Sequence, residues 1–177
     1  MKPAVFLDRD GVLLENRLDY VRSWNDAHLL PGSLEALAHS RNIPNKFVIV
    51  TNQSAVGRGL MPLEDAESIN RRLVLEVYKA GGRIDGVFMC IHTPDQGCGC
   101  RKPKPGLLLS AAGHLGLDLP RSILIGDAAT DLEAGKAAGV GRVALVRTGL
   151  GANHVPSAAE NGIVVVDDLA EALSKLL

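Results

Sequence analysis

Ala4-Val5-Phe6-Leu7-Asp8-Arg9-Asp10-Gly11 is the stretch that decides the fold. Its first half is apolar without alternation, which reads as a short strand buried on both faces. Its second half is polar turn chemistry that sets two carboxylates just past the strand's carboxyl end. Strands buried on both faces belong to parallel sheets covered by helices, and in such sheets ligands bind beyond the carboxyl ends of the strands. One octapeptide therefore predicts both an architecture and the edge of the sheet where chemistry belongs.

The rest of the chain extends this pattern. Lys46 to Val50, Ile84 to Met89, Ser122 to Ile125, Arg142 to Val146 and Ile163 to Val166 are β-branched or Leu-rich runs bounded by Gly, Asn, Asp or Pro. They read as further buried strands. Helical segments separate them. Ser33, after Pro31-Gly32, is placed to N-cap a helix carrying Leu34, Leu37 and Ala38. Pro62-Leu63-Glu64-Asp65 makes a favourable first turn, after which Ile69, Leu73 and Val77 recur every four residues. Gly106 to Leu115, Asp131 to Ala138 (stopped by Gly139) and Asp168 to Leu177 complete the helices. Strand–helix alternation at this spacing predicts an α/β fold with a single doubly wound, Rossmann-like parallel sheet. No repeat, linker or low-complexity segment interrupts it, so residues 1–177 read as one domain.

Bulk properties narrow the classes of function. The net charge is −1 and aromatics are only 3% of residues, which argues against nucleic acid, an anionic membrane surface or base-stacking platforms. No apolar stretch approaches the ~20 residues needed to span a bilayer. The short apolar run before Asp8 does not read as a signal peptide, so the expected compartment is the cytoplasm and the expected state of the thiols is reduced.

Four strand ends carry the polar groups. The first ends in Asp8-Arg9-Asp10-Gly11, the second in Thr51-Asn52-Gln53-Ser54, the third leads to Arg101-Lys102-Pro103, and the fourth ends in Gly126-Asp127-Ala128-Ala129-Thr130-Asp131. Any one of these is ordinary turn and capping chemistry; all in this order point to phosphoryl transfer. Asp8 is placed as the nucleophile and Asp10 as the acid that protonates the leaving alcohol and then the base that activates water. An anionic nucleophile meeting an anionic phosphate calls for a divalent cation, and Mg²⁺ on Asp8 and Asp127 fits. Thr51 and Lys102 are placed to hold the phosphoryl oxygens.

The chain's three cysteines lie close together with a histidine: Cys90, His92, Cys98 and Cys100. They supply the four soft or borderline ligands of a tetrahedral zinc ion. A catalytic zinc, a structural clip, a metal-free loop and a redox switch are all compatible with the spacing; a closed four-ligand shell favours the structural clip.

These ordered motifs resemble those of the haloacid-dehalogenase-like (HAD) phosphatases from about residue 4 to residue 150. The narrower string Thr51-Asn52-Gln53-Ser54 with Cys-x-His…Cys-x-Cys-Arg-Lys-Pro-x-Pro-Gly is similar to D-glycero-D-manno-heptose 1,7-bisphosphate phosphatases and their relatives, the histidinol-phosphate phosphatases. The resemblance implies removal of a C7 phosphate through an aspartyl-phosphate. It implies a magnesium site of Asp8, Asp127 and either the carbonyl of residue 9 or the Asp10 carboxylate, and a zinc site of the four Cys/His residues. It further implies substrate contacts from Asn52, Gln53, Ser54 and Arg101, and from a loop around Arg17, Asp19 and Tyr20. Arg101, with its planar fork, is the best candidate to read a distal phosphate or sugar hydroxyls.

The chain departs from the pattern at Ala128, where the subfamily often carries Lys, and in its short zinc loop. The spacings leave no room for a large cap domain, so a capless enzyme is expected; a monomer with a small phosphorylated sugar as partner is the further expectation. A histidinol-phosphate phosphatase is the nearest alternative. A polynucleotide end phosphatase would want a basic groove, and a phospho-receiver module would have no use for an acid–base group at Asp10.

Overall fold

Six strands form in the order the apolar runs predict: β1 (Ala4–Leu7), β2 (Lys46–Asn52), β3 (Gly86–Cys90), β4 (Ile123–Gly126), β5 (Arg142–Val146) and β6 (Val164–Val166). In the computed structural model, which describes residues 1–177, they make one parallel sheet in the order β3-β2-β1-β4-β5-β6. The helices are α1 (Ser33–His39), α2 (Ser54–Gly57), α3 (Leu63–Lys79), α4 (Gly106–Leu115), α5 (Ala129–Ala138), α6 (Val155–Glu160) and α7 (Leu169–Leu176).

Alternate residues of each strand face opposite layers. Val5 and Leu7 of β1 join Phe47 and Ile49 of β2 in a core with α1, α3 and α7, whereas Ala4 and Phe6 join Val48 and Val50 in a core with α4 and α5. A smaller cluster of Leu132, Leu145 and Ala158 seats α6. The four-residue period of α3 places Ile69, Leu73 and Val77 in the first core, all at most 2% exposed. Full burial of each such side chain stabilises the fold by about 1.5–3 kcal/mol.

Several boundaries differ from expectation, each for a local reason. Gly32, at φ 77°, takes the N-cap position of α1, and Ser33 is instead its first, buried residue, with its hydroxyl donating to the Leu13 carbonyl. β2 runs on through Thr51 and Asn52 because both pair with β3, opposite Met89 and Cys90. β3 starts only at Gly86, since Asp85 is held by the Phe47 amide, Lys46 and Arg83. The connection from β1 to β2 holds only α1 and a single 3₁₀ turn, and no cap stands over the sheet's carboxyl edge.

Candidate active site

The strand order reverses between β1 and β4, and a crevice opens there at the carboxyl edge, as expected for this topology. Asp8 stands on the β1 side, its amide donating to the Ile125 carbonyl at 3.0 Å and extending the ladder by one residue. Asp127 stands on the β4 side. Between them the chain turns sharply at Gly11, φ 85°, where any Cβ would lie 2.0 Å from Asp127 Oδ2. Gly149, φ 59°, closes on the same oxygen, its Cβ position 2.2 Å away. Two glycines are thus needed for the Asp127 carboxylate to fit.

Lys102 is 2% exposed and spends all three ammonium donors inside the protein. They go to Asp8 Oδ1 at 2.9 Å, Asp131 Oδ1 at 2.5 Å and the Val50 carbonyl at 3.0 Å. Burial opposes its charge, but Asp131 and Asp8 more than compensate and raise its pKa. The backbone of Lys102 is held in turn by Asn52, whose amide donates to the Lys102 carbonyl at 3.0 Å and accepts from the Lys102 N–H at 3.1 Å. Thr51, 1% exposed, accepts from Gln53 Nε2 at 2.8 Å, and the same Nε2 donates to Asp10 Oδ2 at 2.7 Å.

The carboxylates divide into two groups. Ligand oxygens of Asp8, Asp127 and Asp131 lie within 4.8 Å of one another. Of the expected trio of Asp8, Asp10 and Asp127, Asp8 and Asp127 bring their carboxylates together. The Asp10 carboxylate is turned to Arg9 and Gln53. The Arg9 carbonyl, the other expected donor, accepts from the amides of Leu13 and Leu14, whereas the Asp10 carbonyl accepts no intramolecular hydrogen bond. Asp131 is near but spent, with Oδ1 on Lys102 and Oδ2 on the Ala128 amide. Asp8 Oδ1 takes the Arg9 amide and Lys102, and Asp127 Oδ2 takes Asn16 and the Leu150 amide. Asp8 Oδ2 and Asp127 Oδ1 are left free of hydrogen bonds.

Burial is the main reason both acids are shifted. Asp8 is raised well above the usual carboxylate range, with Asp131 adding to burial and Lys102 opposing it. Asp127 is raised to about 6, burial outweighing the Leu150 amide. Asp8, Asp10 and Asp127 line the crevice with Lys102, Arg17 and Arg101, and the buried Asp131 pairs with Lys102 behind them. Free oxygens on two adjacent, buried acids suit a small hard cation.

The crevice is a cavity of about 280 Å³. Arg17, Tyr20, Asn52, Gln53, Ser54 and Arg101 line it, while Asp19 stands outside and forms a two-bond ion pair with Arg17, each contact 3.1 Å. Tyr20 adopts φ 67°, a strained conformation for a residue with a Cβ. Ala128 lines the wall without a polar group, beside Thr130. Asn16 and Leu150 were not singled out by sequence reading. Neither has a motif signal, since their contacts with Asp127 cross 111 and 23 residues.

Cys90, at the end of β3, meets His92, Cys98 and Cys100 next to this cavity. Sulfur–sulfur separations are 3.2, 3.5 and 3.7 Å, and His92 Nδ1 lies 3.3 and 3.5 Å from Cys100 and Cys90. A tetrahedron with Zn–S of about 2.3 Å and Zn–N of about 2.0–2.1 Å has edges of roughly 3.5–3.8 Å, so the donor set fits zinc. Burial pushes the Cys90 thiol up to about 12. At Cys98 burial also opposes ionisation, but the Arg101 amide and the neighbouring thiols bring it down to about 7. The loop carries Arg101 with it: the Arg101 amide donates to Cys98 Sγ at 3.4 Å and its Nη1 to the His92 carbonyl at 3.2 Å.

Fold and site together define a phosphoryl-transfer enzyme of the HAD-like class, and the HAD-hydrolase-like family model matches residues 99–172. The chain is 38% identical over 176 residues to the D-glycero-beta-D-manno-heptose-1,7-bisphosphate 7-phosphatase of Pseudomonas aeruginosa, covering 99% of this chain and 98% of that one. It is 43% identical over 150 residues to the corresponding alpha-D-manno enzyme of Mycobacterium tuberculosis, covering 82% of this chain and 79% of the relative. The crystal structure of the D,D-heptose 1,7-bisphosphate phosphatase of Bordetella bronchiseptica, complexed with magnesium and phosphate, superposes with a TM-score of 0.92 at 36% identity, covering 99% and 98% of the two chains. The chain belongs to the D,D-heptose 1,7-bisphosphate phosphatase family of HAD-like hydrolases.

Proposed function

We propose that this protein hydrolyses the C7 phosphate of D-glycero-D-manno-heptose 1,7-bisphosphate through an aspartyl-phosphate. The observation that carries the reading is the close match of fold over nearly the whole chain to a magnesium- and phosphate-bound relative, together with an Asp8 oxygen free of hydrogen bonds in a crevice braced by Lys102.

Asp8 Oδ2 attacks phosphorus, forming the acyl-phosphate O–P bond as the bond to the sugar oxygen breaks. Asp10 gives its proton to the departing alkoxide. It then takes a proton from water, which attacks phosphorus, releases phosphate and returns Asp8. Lys102 holds Asp8 Oδ1 in the resting site and is at hand for the phosphoryl oxygens once Asp8 carries the phosphate. Thr51 steadies Gln53 and, through it, Asp10. Asp8 and Asp127, with the Asp10 carbonyl, would hold Mg²⁺, which when bound neutralises the phosphate oxygens.

Cys90, His92, Cys98 and Cys100 would hold a structural zinc that fixes the loop presenting Arg101. Arg101, Arg17 and Tyr20, with Gln53 and Ser54 in the wall, would meet the sugar and its second phosphate. In this reading the enzyme works as a monomer in the cytoplasm.

The test is kcat/KM with Mg²⁺ on the alpha and beta heptose bisphosphates beside histidinol phosphate. At least about tenfold preference for a bisphosphate is expected, since an unmet charged subsite costs more than ~1.4 kcal/mol. Equal or better turnover of histidinol phosphate would overturn the substrate assignment.

A further inference from the structure

We propose that Arg9 and Asn70 form a buried strut that positions Asp10 for proton transfer, making both of them positioning residues of the reaction. The proposal rests on the reading of Asp10 as acid and base.

Arg9 follows the nucleophile directly, yet its side chain runs away from the crevice and is 0% exposed. Its guanidinium grips Asp10 along one edge, with Nε on Oδ1 at 3.2 Å and Nη2 on Oδ1 and Oδ2 at 3.0 and 2.9 Å. The opposite corner, Nη1, donates to Asn70 Oδ1 at 3.1 Å. Asn70 comes from α3, is 5% exposed and sits outside the crevice; its Nδ2 leans on Met89 Sδ of β3 at 3.5 Å. The chain Met89–Asn70–Arg9–Asp10 thus ties the acid–base group to two elements of the scaffold.

Asp10 needs such a tie because it lies on a loop, held by one isolated bridge to Leu14 rather than by a ladder. Gln53 braces only its Oδ2. The planar fork of Arg9 fixes the plane of the carboxylate, and Asn70 prevents that fork from rotating about its own bonds. A lysine would hold one point and leave the plane free. Arg9 has no other carboxylate partner, so nothing but Asp10 and Asn70 explains where the guanidinium points.

Leaving-group dependence separates positioning from mere support. An alkyl phosphate needs a proton on its departing oxygen, whereas 4-nitrophenyl phosphate releases a stable phenolate without one. Asn70→Leu keeps the volume and removes the acceptor. Its kcat/KM should fall about tenfold on the heptose bisphosphate with KM little changed, and stay within about twofold of wild type on the aryl ester. Asn70→Asp, which retains an acceptor oxygen, should recover most of the alkyl activity. Arg9→Met should show the same alkyl-selective loss more strongly; should it fail to fold, Asn70→Leu still carries the test.

A parallel fall on both esters in Asn70→Leu, or an unchanged ratio, would overturn the strut. The Asp10→Asn control distinguishes the two levels. An inactive Asp10→Asn with an unchanged Asn70→Leu ratio overturns the strut alone, whereas an Asp10→Asn enzyme that still turns over alkyl phosphate overturns the acid–base reading beneath it.

Discussion

Asn52 lines the crevice, yet both ends of its amide are bonded to the Lys102 backbone. It therefore acts first as a clamp that carries the end of β2 to the residue whose ammonium steadies Asp8. Asn52→Ala should lower kcat/KM on heptose bisphosphate and on 4-nitrophenyl phosphate by the same factor, about 10–100-fold, because it displaces a group that serves every phosphate. Arg101→Ala should instead lose activity on the bisphosphate alone. Parallel assays of the two variants on both esters check this; an Asn52→Ala enzyme that fails only on the sugar would assign Asn52 to recognition. At this scale strand-end position made Asp8 and Asp127 legible at the crevice, whereas Lys102 reaches it from a loop twelve residues past β3 and Thr51, at the end of β2, lies behind Gln53. Asn16, Asn70 and Leu150 were not legible, because each acquires its partner only when distant segments pack. The surroundings of Asp10 were hidden for the same reason. A sequence gives the Asp-x-Asp spacing but not the direction in which Arg9 points its fork.

Among the elements, the segment from β3 to α4 concentrates the most constraint in the fewest residues. Cys90 is anchored by the β2–β3 ladder, and the amide of Gly106, at the start of α4, donates to the Gly99 carbonyl at 3.2 Å. A Cβ at Gly106 would stand 2.3 Å from that carbonyl oxygen, so the loop closes back on itself with no room to spare. Arg101 and Lys102 emerge from this closure, one toward the wall of the crevice and one toward its floor. Cys98→Ser, or a chelator that strips the proposed zinc, should therefore lower Tm by at least about 5 °C and weaken bisphosphate binding. Unchanged Tm with lost turnover would instead make the cluster part of the chemistry. The long elements were legible because burial imposes a period: four apolar residues running on in β1, every fourth residue in α3. α2 and α6 escaped because they are one to two turns long and bury too few apolar side chains to leave a period. The strand ends shifted where polar residues found ladder partners, as Thr51 and Asn52 did in β2.

For the molecule as a whole, the strand order gathers negative charge at one point. β1 and β4 are neighbours at the reversal of the sheet, so Asp8 and Asp127 face each other, and the helices on both layers bury what surrounds them. Burial raises Asp8 well above the carboxylate range and Asp127 to about 6, against an ordinary value of 3.8. A carboxyl raised in the folded state binds its proton more tightly there than in the unfolded chain. Its contribution to stability is thus fully present below about pH 4, declines as the unfolded chain ionises first, and is lost once pH passes the folded value. For Asp127 alone the loss is on the order of 3 kcal/mol at neutral pH. Magnesium bound at the free oxygens of Asp8 and Asp127 would relieve this cost, and it competes with protons for the same oxygens. The Tm gain produced by saturating Mg²⁺ should accordingly be several degrees larger at pH 7.5 than at pH 5.0, and Asp127→Asn should abolish most of that difference. Thermal unfolding with and without Mg²⁺ across this range measures it directly. A gain that is independent of pH, or that survives in Asp127→Asn, would place the cation away from the sheet's reversal point and separate the metal site from the charge that the fold gathers there.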